Sequence, residues 1–248
     1  MKKQFQILVV TFITVAFISC SKDKMEMPEA PAITKEEIAT SSSSNRPYID
    51  PLTIGLEARF EFNGNLKNQI RGVADGVPSR RVPSYGPDRK GIFKSALYLD
   101  GAYSVKLNDV PQQTNTSLSV WVKTGGLLEN NTGGIVTNQV VGPRLLQSAD
   151  RFLGTVGTVT NTPGGYADIL NTTWHHVVVT YDGAYMRLYV DNTLKVVEAF
   201  SGTIAPTPVD YVLGWSSVWQ VLWNGYIDDL RFYSRTLSAS DVQKLYNL

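Results

Sequence analysis

The sequence has few of the residues that metal sites and nucleophilic active sites use. Its 248 residues include one cysteine and two histidines, and 23 basic residues nearly balance 22 acidic ones. A lone cysteine excludes an internal disulfide. His175 and His176 leave no spare base for a nucleophilic triad, and we interpret them as hydrogen-bonding residues near a sheet edge. A net charge of +1 without a clustered basic face argues against a nucleic-acid partner.

The N-terminus predicts export and lipidation. Lys2 and Lys3 precede an apolar run that is too short to span a bilayer comfortably and that stops at Cys20. The stretch "FISC" resembles a bacterial lipoprotein processing box, in which the cysteine becomes the lipid-modified first residue, although Phe17 stands where leucine is usual. We therefore predict a signal peptide over residues 1–19 and lipidation of Cys20. A buried or redox-active Cys20 is the alternative.

Residues 20–52 are predicted to form a flexible tether. The stretch from Ser21 to Pro47 is charged, contains Pro28, Pro31 and a run of four serines, and has no aromatic residue or apolar periodicity. The "SKD" after the cysteine resembles the export signals of Bacteroidetes surface lipoproteins. We expect a protein that contacts the membrane through its lipid anchor only, at the outer membrane and on the cell surface, or otherwise in the periplasm.

Residues 53–248 predict one all-β domain. The segment "GLEARFEF" alternates apolar and charged residues, and "SLSVWVKT" alternates in the same way. Strands follow one another from Trp174 onward, with turns at Asp182-Gly183 and Asp191-Asn192. Only "ASDVQKLYNL" after Ser238 predicts a helix, with Asp241 in a capping-box position. Many short strands and one terminal helix indicate a sandwich of two sheets.

Five segments carry a family resemblance: "ARFEFNGNLKNQ", "SALYLDGAYSVKL", "TSLSVWVKT", "TWHHVVVTYDGAYMRLYVDNTLK" and "NGYIDDLRFYSRTLSASDVQKLY". In this order they resemble the laminin-G-like, concanavalin A-like jelly-roll family. The resemblance implies two curved antiparallel sheets of twelve to fourteen strands. Such domains mostly bind glycans or proteins, and some relatives are glycoside hydrolases or polysaccharide lyases. Fold alone therefore leaves function open.

Paired carboxylates for glycan cleavage are hard to find in the sequence. A glycosidase needs two carboxyl groups about 5 to 9.5 Å apart. Glu57 and Glu61 would lie about 13 Å apart on one strand, and the adjacent Asp228 and Asp229 are predicted to point to opposite faces. The Glu-x-Asp-x-x-Glu strand of the hydrolase relatives is missing. We predict a protein without catalytic activity.

The resemblance also implies a structural calcium ion between the loop after the first strand and the last strand. Calcium takes oxygen ligands, and the implied set is Asn63, Asn65, Asn68, Asp75, Asp228 and Asp229. Asn68 stands where relatives often have aspartate, which removes a negative charge. The alternative is a set of turn-forming side chains.

Two aromatic sets could bind a sugar. On "AYMRLYVD", alternation points Tyr185, Arg187 and Tyr189 outward, either as a binding ladder or as an ordinary cross-strand network. The second set is Trp219 with Trp215 as a partner, and the alternative is a loop tryptophan that only packs on the sandwich.

The other tryptophans are predicted to lie in the core. Trp223 precedes the last core strand, and Trp121 and Trp174 occupy strand positions. From these features we expect a non-catalytic, lectin-like surface lipoprotein that captures poly- or oligosaccharides. A protein-binding adhesion module, or a glycoside hydrolase or polysaccharide lyase of the same fold, is the alternative.

Overall fold

The computed structural model describes residues 49–126, 133–139, 141–169, 171–205, 208–216 and 220–248. The predicted signal peptide, Cys20 and most of the predicted tether lie outside these ranges. The described strands, in chain order, are β1 (Leu56–Phe60), β2 (Val77–Pro78), β3 (Ser84–Gly86), β4 (Ala96–Asp100), β5 (Val105–Val110), β6 (Thr116–Thr124), β7 (Gly133–Thr137), β8 (Gly142–Ser148), β9 (Arg151–Gly157), β10 (Gly164–Asp168), β11 (Trp174–Tyr181), β12 (Tyr185–Val190), β13 (Thr193–Ala199), β14 (Val209–Leu213), β15 (Trp215–Ser216), β16 (Val221–Leu222) and β17 (Asn224–Tyr233).

These strands form the predicted sandwich of two antiparallel sheets. Sheet A has the order β13-β12-β11-β6-β17-β4-β3, with β1 also paired to β17, and sheet B has the order β10-β9-β8-β7-β14-β5-β2. The two short strands β15 and β16 pair only with each other, and we call them the 215–222 ribbon. The jelly-roll fold class is confirmed.

The core lies between the two sheets because alternate residues of each strand point inward. On β6, Leu118, Val120 and Val122 are fully buried in it, and on β12 Met186 and Leu188 join them. The hairpin after β12 turns at Asp191 and Asn192, whose φ values of 49° and 60° match the predicted tight turn.

One helix, α1 (Ala239–Tyr246), covers part of the outer face of sheet A. Its N-cap Ser238 accepts a hydrogen bond from the Asp241 backbone N–H, and the Asp241 carboxylate accepts one from the Ser238 N–H, which is the predicted capping box. A second apolar cluster lies beneath it and includes Leu52, from a short 3-10 turn at Pro51–Thr53. The fold therefore includes Pro51 and Leu52, which we had assigned to the tether.

The tryptophans predicted for the core occupy three different environments. Trp223 is fully buried between the sheets and donates its indole N–H to Gln147 Oε1 at 2.7 Å, as predicted for a core residue. Trp121 is buried on the other side of sheet A, where it stacks on Tyr246 of α1 at 5.5 Å between ring centroids. Trp174, on the same outer face, is only half-buried, which corrects the prediction that it lies in the core.

Within the described part of the chain, no helix has the length and apolar character needed to cross a membrane.

Candidate functional site

A groove of about 480 Å³ lies on the outer face of sheet B. Alternation on β14 buries Tyr211 and Leu213 in the core and turns Asp210 and Val212 outward to form its floor. Lys106 of the neighbouring strand β5 points the same way. Its Nζ lies 2.6 Å from Asp210 Oδ2, so a cross-strand ion pair lies in the groove.

The Asp210 carboxylate is held in place by two donors. Besides Lys106, it accepts a hydrogen bond from the Asp109 backbone N–H at 3.2 Å. The hydrogen bond from Lys106 lowers the pKa of Asp210. The loop after β7 adds Asn138 and Gln139 to one wall. The Asn138 side chain is buried and bonds Tyr211, so the exposed amide is that of Gln139. The groove therefore combines an ionised acid, an ammonium group and an amide side chain.

Trp215 forms the opposite wall, and its position depends on the chain reversal at Gly214. Gly214 has a φ of 79°, and a Cβ there would lie 2.8 Å from Leu99 Cδ1. The reversal directs the 215–222 ribbon across β7, where Thr137 Oγ1 donates to the Trp215 carbonyl at 2.6 Å. Gly134 of β7 allows this approach because a Cβ would collide with the same carbonyl.

Trp215 borders a second hollow as well. This hollow, of about 330 Å³, is lined by Ser79, Arg80, Ala102, Tyr103, Ser104, Gln220 and Leu222 together with Trp215. The half-buried tryptophan thus borders two depressions whose linings mix polar and apolar groups. An aromatic surface flanked by hydrogen-bonding groups is the usual composition of a small-molecule site. Trp219, the predicted partner of Trp215, lies outside the described residues.

The predicted ladder of Tyr185, Arg187 and Tyr189 does point outward, but it does not form one exposed surface. Tyr189 is 8% exposed because it belongs to the cluster beneath α1. Arg187 pairs with Asp182 at 2.6 Å, and its guanidinium lies 5.3 Å from the Tyr185 ring centroid. Tyr185 alone is well exposed. The three residues match the alternative interpretation, an outer-face network of sheet A.

The loop residues predicted as calcium ligands use their oxygens to hold the loop itself. Asn68 Oδ1 accepts hydrogen bonds from the backbone N–H groups of Arg59 and Ile70, at 3.1 and 3.0 Å. Asp75 Oδ1 accepts from the Asn68 N–H at 2.9 Å, and Asn65 Oδ1 accepts from the next-but-one N–H at 2.9 Å. These are the turn-forming contacts of the alternative interpretation.

Asp228 and Asp229 correct our prediction that their side chains point to opposite faces. The register of β17 shifts after Asp228, and Asp229 has a φ of 44°, which defines a β-bulge. The bulge turns both carboxylates into one cleft of about 220 Å³, where Arg89 contacts both. Arg231 adds a bidentate pair to Asp229, with both N–O distances 2.9 Å.

This cleft does not fit a calcium ion. Arg59, Arg89 and Arg231 already supply positive charge to the two aspartates. Burial raises the pKa of Asp228 to about 7, while for Asp229 the opposing effect of burial is outweighed by the hydrogen bonds and charge of Arg231, which lower its pKa. Among the described residues, no three or more histidine, cysteine or carboxylate side chains are arranged to hold a metal.

Both histidines make structural contacts. His175 Nδ1 lies 2.7 Å from Asp191 Oδ2, which braces the hairpin after β12. His176 Nε2 lies 2.9 Å from Ser119 Oγ, and its ring packs against Trp121 at 5.1 Å between centroids. Burial lowers the pKa of His176 to about 4, so this ring is neutral at pH 7.

Sequence reasoning missed Lys106, Gln139 and Asp210 as site residues. The alternation of "VDYVLGW" already separates Asp210 from the core. However, the pairing of β14 with β5, which brings Lys106 to Asp210, joins residues about a hundred positions apart and has no local signal.

The match to a family model identifies the family of this chain. Residues 99–243, more than half of the chain, match the Laminin G 3 family, described as the concanavalin A-like lectin/glucanases superfamily. The chain belongs to this family. No curated protein sequence matches the chain.

Solved structures share the fold at low sequence identity. The botulinum neurotoxin serotype D binding domain matches with a TM-score of 0.62 and 17% identity, over 78% of this chain and 50% of that one. A botulinum neurotoxin type C structure, titled for its dependence on two ganglioside molecules in cell entry, gives 0.62 and 12%, over 78% and 51%. The chain spans about half the length of these neurotoxin structures.

A third structure matches over nearly its full length. It is domain 4 of AbnA, a GH43 extracellular arabinanase from Geobacillus stearothermophilus, in complex with arabinotriose. Its TM-score is 0.58 at 20% identity, over 77% of this chain and 98% of that one. These similarities establish the sandwich fold.

Proposed function

We propose that this protein is a non-catalytic, lectin-like protein that binds a poly- or oligosaccharide on the outer face of sheet B. The observation that carries the proposal is the position of Trp215 at the border of two hollows of about 480 and 330 Å³, whose linings combine apolar surface with charged and amide residues. An aromatic ring can stack on the C–H face of a sugar while amides and charged groups bind its hydroxyls.

The site offers both kinds of polar partner that sugar hydroxyls need. Asp210 is a carboxylate acceptor, and Lys106 is a donor held next to it. Gln139 brings an exposed amide group, which donates and accepts. The fold relatives support a glycan as the ligand, because one was solved with arabinotriose and another is titled for its interaction with gangliosides.

A binding role without catalysis is supported by how the adjacent carboxylates are used. Asp228 and Asp229, the pair that the β-bulge brings together, are engaged by arginines in a separate cleft. The groove itself contains Asp109 and Asp210, and Asp210 is tied to Lys106, so the two are not both free. A glycosidase needs one carboxyl group free to give a proton and a second free to act as base or nucleophile.

The proposal also includes the location. We propose that Cys20 is lipidated and that the domain is held at the outer membrane, on the cell surface, since residues 1–19 have the composition of a lipoprotein signal peptide. Incorporation of labelled palmitate into the chain, lost in Cys20→Ala, would support the anchor. Digestion by protease added to intact cells would support the surface location.

Affinity electrophoresis of the purified full chain tests the binding function. Gels containing neutral and acidic polysaccharides should retard the protein, and Trp215→Ala should abolish the retardation while the melting temperature changes little. Tyr185→Ala is the matched control, because it removes an exposed aromatic ring from the other sheet. Unaltered mobility in every polysaccharide would contradict the proposal, and release of reducing sugar would replace it with a hydrolase.

A further inference from the structure

Arg144 lies on the same outer face of sheet B as the Trp215 groove. On β8, Leu145 and Gln147 point into the sandwich, so Arg144 and Leu146 point outward. The register places Arg144 beside Thr155 of β9, and in the next row Leu146 beside Leu153. Arg144 therefore lies at the edge of an apolar patch of this face.

An exposed aromatic ring extends that patch on β10. Tyr166 pairs with Leu153 in the register, and 48% of its surface is exposed. The guanidinium of Arg151 lies 4.7 Å from the centroid of this ring. The face thus carries an exposed aromatic ring two strands from Arg144, and an aromatic ring and a charged group are components of a second sugar contact.

The positive charge of the Arg144 guanidinium has few compensating partners. Among the described residues its one hydrogen bond runs from Nη2 to Thr162 Oγ1 at 3.3 Å, and Nε is shielded from solvent without a partner there. The neighbouring Thr155 Oγ1 is likewise shielded and without a partner. Burial lowers the pKa of the guanidinium. The guanidinium is therefore partly dehydrated, and an anion bound beside it would stabilise its charge.

The other arginines of the described residues show how unusual this is. Seven of them have a carboxylate within 4.0 Å: Arg59, Arg81, Arg89, Arg151, Arg187, Arg231 and Arg235. Two more, Arg71 and Arg80, are exposed to water. Arg144 alone in the described ranges is both partly buried and without a carboxylate partner. An anion from outside the chain would complete it.

We propose, building on the glycan-binding function, that the saccharide is acidic and that Arg144 binds its anionic group, a uronate carboxylate or a sulfate ester. A guanidinium binds either group through two parallel charge-assisted hydrogen bonds. β8 is two strands from β14, about 10 Å across the sheet, so one saccharide chain can contact both Arg144 and the Trp215 groove. Asp109 and Asp210 in the groove would repel an acidic sugar. The acidic sugar is therefore expected at the end of the bound saccharide that contacts Arg144.

Binding of the full chain to matched polysaccharides tests the inference by calorimetry. The probes are polygalacturonate, its fully methyl-esterified form, a sulfated galactan and the desulfated galactan. The wild type should bind at least one charged member about tenfold or more tightly than its uncharged partner. Preference within the first pair identifies a carboxylate and preference within the second identifies a sulfate ester.

Variants test whether Arg144 causes the preference for charged polysaccharides. Arg144→Gln should remove the preference, Arg144→Lys should keep part of it, and Arg71→Gln, which changes an exposed arginine outside the proposed site, should leave it within about twofold. Equal binding of charged and uncharged partners by the wild type, or a preference that survives Arg144→Gln, would overturn the inference. With either of these outcomes, glycan binding that still requires Trp215 would support the proposed function without the inference about Arg144. Absence of all glycan binding would contradict the inference and the proposed function together.

Discussion

Thr137 and Trp215 are joined by a hydrogen bond of 2.6 Å from the Thr137 hydroxyl to the Trp215 carbonyl. The bond ties the 215–222 ribbon to β7, the strand beside which the groove opens. The same hydroxyl lies 3.3 Å from the Val212 carbonyl, at the floor of the groove. One side chain therefore positions the tryptophan wall relative to the floor.

Thr137→Val should separate this positioning from the ring itself. Valine keeps the shape but cannot donate, so the free energy of unfolding should fall by about 1 to 2 kcal/mol. Saccharide affinity should fall by several-fold, because Trp215 loses its tether. Urea unfolding and affinity electrophoresis measure the two effects. Thr193→Val, which removes a weak 3.4 Å bond in an exposed turn, should change neither, and unchanged glycan binding by Thr137→Val would contradict the tethering role.

Trp223→Ala should destabilise the protein by about 3 to 5 kcal/mol. The ring is fully buried, and truncation leaves a cavity and removes the hydrogen bond to Gln147. Trp215→Ala, at a half-buried ring, should cost much less. Urea unfolding of both variants gives the comparison. Similar losses for the two would show that Trp215 is a core residue rather than a groove wall.

The sequence was sufficient for the fold because its evidence is local. Alternation on "GLEARFEF", the Asp191-Asn192 turn and the capping box at Ser238 each depend on a few neighbouring residues, and the structure has all three. The family segments then gave the order of strands. The core position of Trp223 followed from its place before the last strand.

The site was harder to predict because it depends on contacts between distant segments and on one local irregularity. Strict alternation failed at Asp229, where the bulge turns two adjacent carboxylates into one cleft. Tyr189 was correctly predicted to face outward, but only the docking of α1 decides that it is covered. Only the folded structure shows which arginines have a carboxylate partner, and therefore that Arg144 has none among the described residues.

Gly214→Ala should displace the ribbon. The substitution adds a Cβ at a φ of 79° and places it 2.8 Å from Leu99 Cδ1. The matched control is Gly72→Ala, at a φ of 88° with no atom within 4 Å of the new Cβ. The control should cost about 1 to 2 kcal/mol from backbone strain alone, and Gly214→Ala should cost more and weaken glycan binding. Equal losses of unfolding free energy would show that the contact with Leu99 relaxes without moving the ribbon.

His176 and Asp228 should give the stability opposite dependences on pH. The folded pKa of His176 is about 4, below its ordinary 6.5, so the unfolded state binds more protons between these values and stability falls as pH falls through this range, by roughly 3 kcal/mol. The folded pKa of Asp228 is about 7, above its ordinary 3.8, so the folded state binds more protons and stability rises as pH falls from 7 toward 4. The two effects partly cancel in the wild type.

Variants should reveal each contribution separately. Asp228→Asn removes the rise, so its free energy of unfolding should drop more steeply than that of the wild type between pH 6.5 and 4.5. The double variant His176→Phe with Ser119→Ala removes the imidazole and the hydroxyl that it bonds. Because its unfolding free energy no longer falls through protonation of His176, this variant should gain stability relative to the wild type as the pH is lowered. Urea unfolding at pH 4.5, 5.5 and 6.5 gives the slope of the unfolding free energy against pH for each protein. A pH-independent loss of stability from breaking the Arg89 pair does not change this slope. Parallel slopes for all three proteins would show that neither group changes its protonation on folding.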